Sequence, residues 1–282
     1  MRAELLLDAR AELGEGPVWD PRAGVVWWVD ILRGHVHCVD LDGRPGETVE
    51  VGEAVGCVAL AADGGLVAAT TGGFRRIDPV GGHPLVAPVD HGADDVRMND
   101  GKADPAGRFV AGSMAFSERP GAGTLWSLDA GAVRPLVAGV TISNGLAWSA
   151  DGGTMFYIDT PTRRIDAFDY DTATGDLSGR RPVVEIPEEA GGPDGMTIDS
   201  EGGLWVALWG GSAVHRYCDG RLDAVIEVPT PLVTCPAFAG GDGATLVVTT
   251  ASIGSDGPAP GAGGVYAVRP GVAGPPQPMV RV

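Results

Sequence analysis

The sequence predicts an all-β fold, a six-bladed β-propeller built from four-stranded blades. Three observations lead there. A unit of short apolar strand, Asp/Pro/Gly turn and second apolar strand occurs six times along 282 residues. Two further β-rich segments follow the unit in most repeats. No helical period is long enough to compete with the strand pattern.

The six units are GPVWDPRAGVVWWVD from Gly16, CVALAADGGLVAAT from Cys57, DGKADPAGRFVAGS from Asp100, GLAWSADGGTMFYID from Gly145, GMTIDSEGGLWVAL from Gly195 and PAFAGGDGATLVVT from Pro236. Their last turn glycines are 24, 65, 107, 153, 203 and 243, giving spacings of 41, 42, 46, 50 and 40. Third strands are read in HVHCVDLDG, TLWSLDAG, RRIDAFDYD, AVHRYCDG and GVYAVRPG, with FRRIDP the weaker member. Fourth strands are read in ETVEV, HPLVAPV, VRPLVAGV, RPVVEI and LDAVIEV. Four strands every 40–50 residues is the signature of a propeller blade. AELLLDA lies before the first unit and is expected to complete the last blade and close the ring. One domain over residues 1–282 follows, since a ring cannot be cut without opening strand edges.

Composition narrows the function. The net charge of −17 argues against nucleic acid and anionic membranes, which call for Lys/Arg clusters. The N-terminus has no signal-peptide apolar core, and no apolar run is long enough to span a bilayer. Cys38, Cys57, Cys218 and Cys235 show no CxxC or zinc spacing and read as reduced, packed thiols in a cytoplasmic protein. The chain is expected to be a monomer or weak homo-oligomer.

Residues at one offset from the turn glycine occupy equivalent places in each blade. Nine positions back lie Glu15, Gly56, Met98, Asn144, Asp194 and Thr234. Each is placed just before the innermost strand, at one end of the central channel. Three of them, Glu15, Asn144 and Asp194, are oxygen donors. Bare carboxylates converging on an axis repel one another, and a bound cation resolves that. An all-oxygen set suits a hard divalent ion such as Ca²⁺, Mg²⁺ or Mn²⁺. The competing reading takes Asn144-Gly145 and Asp194-Gly195 as ordinary turn dipeptides. On this count Met98 holds the axial phase of the third blade and Asn99 sits one place out.

The stretches LGEGPVW (13–19), RMNDGKADPAGRFVAGSM (97–114), SNGLAWS (143–149), FYIDT and DAFDYD (156–169) and PDGMTIDSEGGLWVA (193–207) resemble the gluconolactonase / senescence-marker-protein (regucalcin) family over nearly the whole chain. The resemblance implies a six-bladed propeller with a divalent metal in the channel. Ca²⁺ is the first expectation, with Zn²⁺, Mg²⁺, Mn²⁺ or Fe²⁺ as alternatives. It also implies Glu15, Asn144 and Asp194 as metal ligands, Arg97 and Asn99 as contacts to a sugar lactone, and Asp100 as a site-lining carboxylate. After GSM (112–114) the family often carries an acidic residue near the substrate. Here AFSE follows, so Ser117 is best aligned and Glu118 is the nearest carboxylate.

The expected reaction is hydrolysis of an aldonolactone to its sugar acid. The metal would polarise the carbonyl, with Asp194 as candidate base and metal-bound hydroxide as the competing nucleophile. Arg97 would offer its fork of donors to the substrate. Ser143 lacks a nucleophile elbow and partners. His35 and His37 could form a metal pair, but their strand position is variable between repeats and away from the axis. The tryptophans read as inter-blade core. Two other readings stay open: a calcium-binding regulatory protein, and a phosphotriesterase-like propeller hydrolase.

Overall fold

A computed structural model describes residues 1–78, 81–254 and 259–282. β1 (Glu4–Leu7) precedes the first repeat. Blade 1 comprises β2 (Gly14–Asp20), β3 (Val25–Asp30), β4 (His35–Asp40) and β5 (Val49–Glu50). Blade 2 comprises β6 (Val55–Leu60), β7 (Leu66–Thr70), β8 (Gly73–Ile77) and β9 (Leu85–Pro88). Blade 3 comprises β10 (Val96–Ala103), β11 (Phe109–Ala115), β12 (Gly123–Asp129) and β13 (Ala132–Val140). Blade 4 comprises β14 (Ser143–Trp148), β15 (Thr154–Asp159), β16 (Arg164–Tyr170) and β17 (Leu177–Glu185). Blade 5 comprises β18 (Gly192–Ile198), β19 (Leu204–Trp209), β20 (Ala213–Cys218) and β21 (Arg221–Glu227). Blade 6 comprises β22 (Val233–Ala239), β23 (Thr245–Thr250) and β24 (Val265–Val268).

Each blade is an antiparallel meander, and β1 is the fourth strand of blade 6. It pairs with β24 through Glu4↔Ala267, Leu5↔Tyr266 and Leu7↔Val265. The six inner strands, β2, β6, β10, β14, β18 and β22, contact one another in cyclic order, and β22 meets β2. This is the six-bladed ring that the repeats predict, closed by the N-terminal strand.

The core lies between blades. Phe74 of β8 and Phe109 of β11 sit 5.4 Å apart across the blade 2–3 boundary. Trp205 of β19 meets Phe238 of β22 edge-on at 6.1 Å across the next blade boundary but two. Trp28, Trp148 and Trp205 are buried in such seams. His37 stacks on Trp28 at 4.4 Å and bonds Thr48 through Nδ1. Burial and the neighbouring His35 hold its pKa down at about 4, and its ring serves packing.

Every inner strand carries a register break near its start. The breaks fall between Glu15/Val18, Val55/Cys57, Met98/Gly101, Ser143/Leu146, Pro193/Met196 and Val233/Cys235. Bulges re-aim side chains at functional rims. Glu15, Asn144 and Asp194 therefore lie within strands rather than before them. The turn reading of Asn144-Gly145 and Asp194-Gly195 is replaced by a packing one. A Cβ on Gly145 would meet Met196 Cβ at 2.6 Å, and one on Gly195 would meet Cys235 Sγ at 2.4 Å. Only glycine lets adjacent inner strands approach this closely.

The ladder also corrects the phase of blade 3. The inner strand reaches its turn at Asp20, Ala61, Ser149, Asp199 and Ala239, four residues before the reference glycine in five blades. In blade 3 it reaches the turn at Asp104, three before Gly107. Asn99, not Met98, is thus the equivalent of Glu15, Asn144 and Asp194. Met98 is fully buried in the core between blades 2 and 3.

Removing residues 1–8 uncovers the edge of β24 and takes Ala3, Leu6 and Leu7 out of the apolar clusters they pack in. Urea denaturation of the truncated chain is expected to show a stability loss of about 3 kcal/mol or more and concentration-dependent aggregation. A transition unchanged from the full chain would show that β1 does not close the ring.

Candidate active site at the channel mouth

The bulged starts of the inner strands gather Glu15, Asn99, Asn144 and Asp194, all buried. A hydrogen-bond chain ties three blades together here. Arg97 Nη1 donates to Asn99 Oδ1 at 2.6 Å and to the Met98 carbonyl at 2.9 Å. Asn99 Nδ2 donates to Asn144 Oδ1 at 2.7 Å and to the Ser143 carbonyl at 2.8 Å. Asn144 Nδ2 donates to Thr160 Oγ1 at 2.7 Å, which donates to the Pro193 carbonyl at 2.8 Å, beside Asp194. These donors fix which way the Asn144 amide faces. Its oxygen keeps a second lone pair for a further partner.

The segments entering the site are held from behind. Asp30 accepts the backbone N–H groups of Glu12 and Leu13, just before Glu15. Asp159 does the same for Thr141 and Ile142, just before Asn144. Glu15 and Asp100 each accept the N–H of the glycine that follows them, Gly16 at 2.8 Å and Gly101 at 2.7 Å. Asp100 Oδ2 is buried with no hydrogen-bond partner. Asp100 follows Asn99 within the bulge of β10, and its charge acts on both Glu15 and Asp194.

Three buried carboxylates share this space. Burial, then Asp100, pushes Glu15 up to about 8. Burial, then Glu15 and Asp100, pushes Asp194 well above the usual carboxylate range. Burial also raises Asp100. Arg97 and Lys102 are the counter-charges. Burial lowers Arg97 to about 10 against the pull of Glu15, Asp194 and Glu118. Arg97 lies over the Phe116 ring at 5.7 Å, and its Nε is buried without a partner.

The donor set suits a hard cation. The carboxylates of Glu15 and Asp194 repel each other, the orphaned Asp100 oxygen adds to that field, and the Asn144 oxygen stands at the equivalent bulge of blade 4. Among the described residues no three His, Cys, Asp or Glu side chains form a metal cluster, so a cation here needs the amide as third donor. Such a set, two carboxylates and one amide oxygen, is hard-ion chemistry.

Glu118, exposed, has left-handed backbone (φ 55°) on the turn after β11 and is near enough to favour the charged form of Arg97. Ser117 instead turns to Asp95 through a hydrogen bond. Sequence reasoning missed Thr160 and Lys102. Nothing in FYIDT marks Thr160 as the residue that orients Asn144. Lys102 carries a signal, being the only lysine in the chain.

Glu15 ionises in the unfolded chain near 4.3 but in the metal-free fold only near 8. The folded state thus holds an extra proton between those values, and stability falls as pH rises through that window. A metal-free sample is expected to melt progressively lower from pH 5 to pH 8, and added Ca²⁺ is expected to raise the melting temperature more at pH 8 than at pH 5. Equal Ca²⁺ shifts at both values would remove the carboxylates from the binding event.

The profile of the SMP-30/Gluconolactonase/LRE-like region matches residues 13–252. The chain is 37% identical over 262 residues to the pentonolactonase XacC of Haloferax volcanii, covering 92% of this chain and 88% of that one. It is 36% identical over 282 residues to regucalcin of Xenopus laevis, covering 95% and 94%. A crystal structure of a calcium-binding protein, regucalcin, from Agrobacterium tumefaciens superimposes with a TM-score of 0.94 at 32% identity, covering 99% and 97%. The chain belongs to the SMP-30/gluconolactonase/LRE-like family.

Proposed function

We propose that the protein hydrolyses a sugar lactone to the corresponding sugar acid, with the whole chain acting as one propeller domain. The observation that carries this reading is the constellation at the channel mouth. A buried arginine with an unused Nε stands beside an oriented amide pair and two carboxylates. It occurs in a chain 37% identical to a pentonolactonase over 92% of its length. A purely structural cluster would pair Arg97 with a carboxylate, as Arg216 pairs with Asp199 at 2.7 Å.

Glu15, Asn144 and Asp194 would hold a divalent cation, Ca²⁺ first among the candidates. When bound, such an ion supplies Lewis-acid polarisation of a carbonyl oxygen. Arg97 offers planar donors to the lactone carbonyl or a ring hydroxyl. Asn99, already oriented, positions hydroxyls or water. Asp194 accepts the proton of the water that adds to the carbonyl carbon. The ring C–O bond then breaks, Asp194 returns that proton to the departing alkoxide, and the sugar acid leaves. Ionised Asp194 requires the opposing charge, because burial beside Glu15 otherwise keeps it protonated. Phe116 and Glu118 form the rim where the sugar enters. Four free cysteines favour a reducing, cytoplasmic setting, and a small-molecule substrate is the only partner the site calls for.

Acid release from a panel of γ- and δ-aldonolactones, with chelator and with each of Ca²⁺, Mg²⁺, Mn²⁺, Zn²⁺ and Fe²⁺, tests this directly. Metal-dependent turnover of at least one lactone is expected. Asp194→Ala and Glu15→Gln are expected to lower kcat/KM about 10³-fold while keeping the folded spectrum. A protein that binds Ca²⁺ yet turns over no lactone would leave the calcium-binding regulatory reading standing instead.

The pairing of Asn99 generates a second expectation. Asn99→Ala frees the Arg97 guanidinium and the Asn144 amide together. Its kcat is expected to fall about 10²-fold, with the cation dissociation constant rising as Asn144 loses orientation. Unchanged metal affinity in that variant would mean that Asn99 acts on substrate alone.

A further inference from the structure

A cavity of about 330 Å³ occupies the other end of the channel. Gly16 and Gly101, the residues that follow Glu15 and Asp100, form its inner end, and from there it runs along the inner strands toward their turns at Ser149 and Asp199. Its walls are apolar, formed in the main by Val58, Leu146, Trp148, Phe156, Ile198 and Phe238. Carboxylate and hydroxyl groups at its edge are mostly engaged. Asp199, for instance, accepts from Gly203 N, Trp205 Nε1 and Arg216 Nε.

The C-terminal segment runs across the mouth of this cavity. Its start is tied to blades 5 and 6, where Ser200 N donates to the Ala273 carbonyl at 2.8 Å and Gly274 N to the Gly243 carbonyl at 3.0 Å. Its end is tied to blades 2 and 3, where Val280 N donates to the Leu60 carbonyl at 2.7 Å and Arg281 N to the Gly107 carbonyl at 2.8 Å. Of the five residues between these anchors, Pro275, Pro276, Gln277 and Pro278 line the cavity. Three prolines have no N–H to satisfy, so this strap crosses open space without a strand to pair with.

One cation lines the cavity. Lys102 of β10 projects to the channel two residues beyond Asp100, and it forms no hydrogen bond or ion pair among the described residues. Burial pushes its ammonium down, but Cys235, Asp100 and Glu15 facing it outweigh that, and it stays charged. An ammonium carries three donors and no acceptor. In an apolar chamber those donors call for oxygen acceptors.

We propose that this chamber is a second binding site, which takes a small monocarboxylate with a compact apolar body. The carboxylate sits on Lys102 Nζ, and the body packs on the apolar walls beneath the 275–278 strap. The chamber adjoins the channel-mouth carboxylates at Gly16 and Gly101, but the proposal does not rest on the lactonase reading.

The sole lysine makes the test direct. Protein labelled with ¹³C-lysine has a single ε-methylene resonance. Phenylacetate is titrated into the full chain in Ca²⁺-containing buffer, and phenylacetamide serves as the neutral isostere. The resonance is expected to shift saturably with phenylacetate and to need at least tenfold more phenylacetamide. No shift up to about 10 mM, an affinity weaker than about 3 kcal/mol, would overturn the proposal, as would equal responses to acid and amide. Ala147→Phe, which fills the chamber, is expected to abolish the shift. A shift that persists in that variant places the carboxylate at the channel mouth and also overturns it. Should Ala147→Phe fail to fold, the acid-against-amide comparison on the unaltered chain decides alone.

Discussion

Six β-strands meeting around one axis leave almost no room for side chains, and this crowding organises the rest of the molecule. The residue after each axial position is glycine in blades 1, 4 and 5, where Gly16, Gly145 and Gly195 abut Cys57, Met196 and Cys235. The bulge beside each of them turns the preceding residue into the channel. Close strand approach and inward-facing polar groups are therefore one feature, not two. The large aromatic residues are displaced to the seams between blades, where Phe74, Phe109, Trp205 and Phe238 supply the burial that holds the ring together.

The same crowding makes the channel electrically expensive. Glu15, Asp100 and Asp194 are formally three negative charges opposed by Arg97 and Lys102, and all lie in a low-dielectric passage. Burial of each carboxylate disfavours its ionisation, and each raises its neighbours. The fold answers part of this with backbone N–H groups from Gly16 and Gly101, and with the amide chain through Asn99, Asn144 and Thr160. The remainder is what a divalent cation would neutralise. Perturbed groups of this kind concentrate at functional sites. The buried Arg108–Asp104 and Arg216–Asp199 pairs nearer the blade turns are closed ion pairs, and they leave no comparable demand.

Much of this was readable before the structure. The turn-glycine spacing reveals six blades, and AELLLDA reveals the closing strand, because both depend on strand period and turn chemistry. The shared offset of Glu15, Asn144 and Asp194 exposes the axial ring for the same reason. The third blade defeats that count. Its turn glycine, Gly107, stands one place before the residue that pairs back to Asp104, Arg108, so a fixed offset from Gly107 lands on Met98 while the ladder selects Asn99. Spacing cannot register a glycine displaced by one place within a turn, whereas hydrogen-bond pairing can. Asn-Gly and Asp-Gly likewise read as turns because their local chemistry is the same in a bulge. Thr160 and Lys102 escaped because their roles arise from contacts between blades, which no repeat offset encodes.

The central claim is that the bulged strand starts of blades 1, 4 and 5 make one cation site on the axis. Anomalous diffraction from crystals soaked in Mn²⁺ tests it most directly. A single strong peak within bonding distance of Glu15, Asn144 and Asp194 oxygens is the result expected. A channel mouth with no peak at saturating Mn²⁺, or a peak bound by other residues, would contradict it.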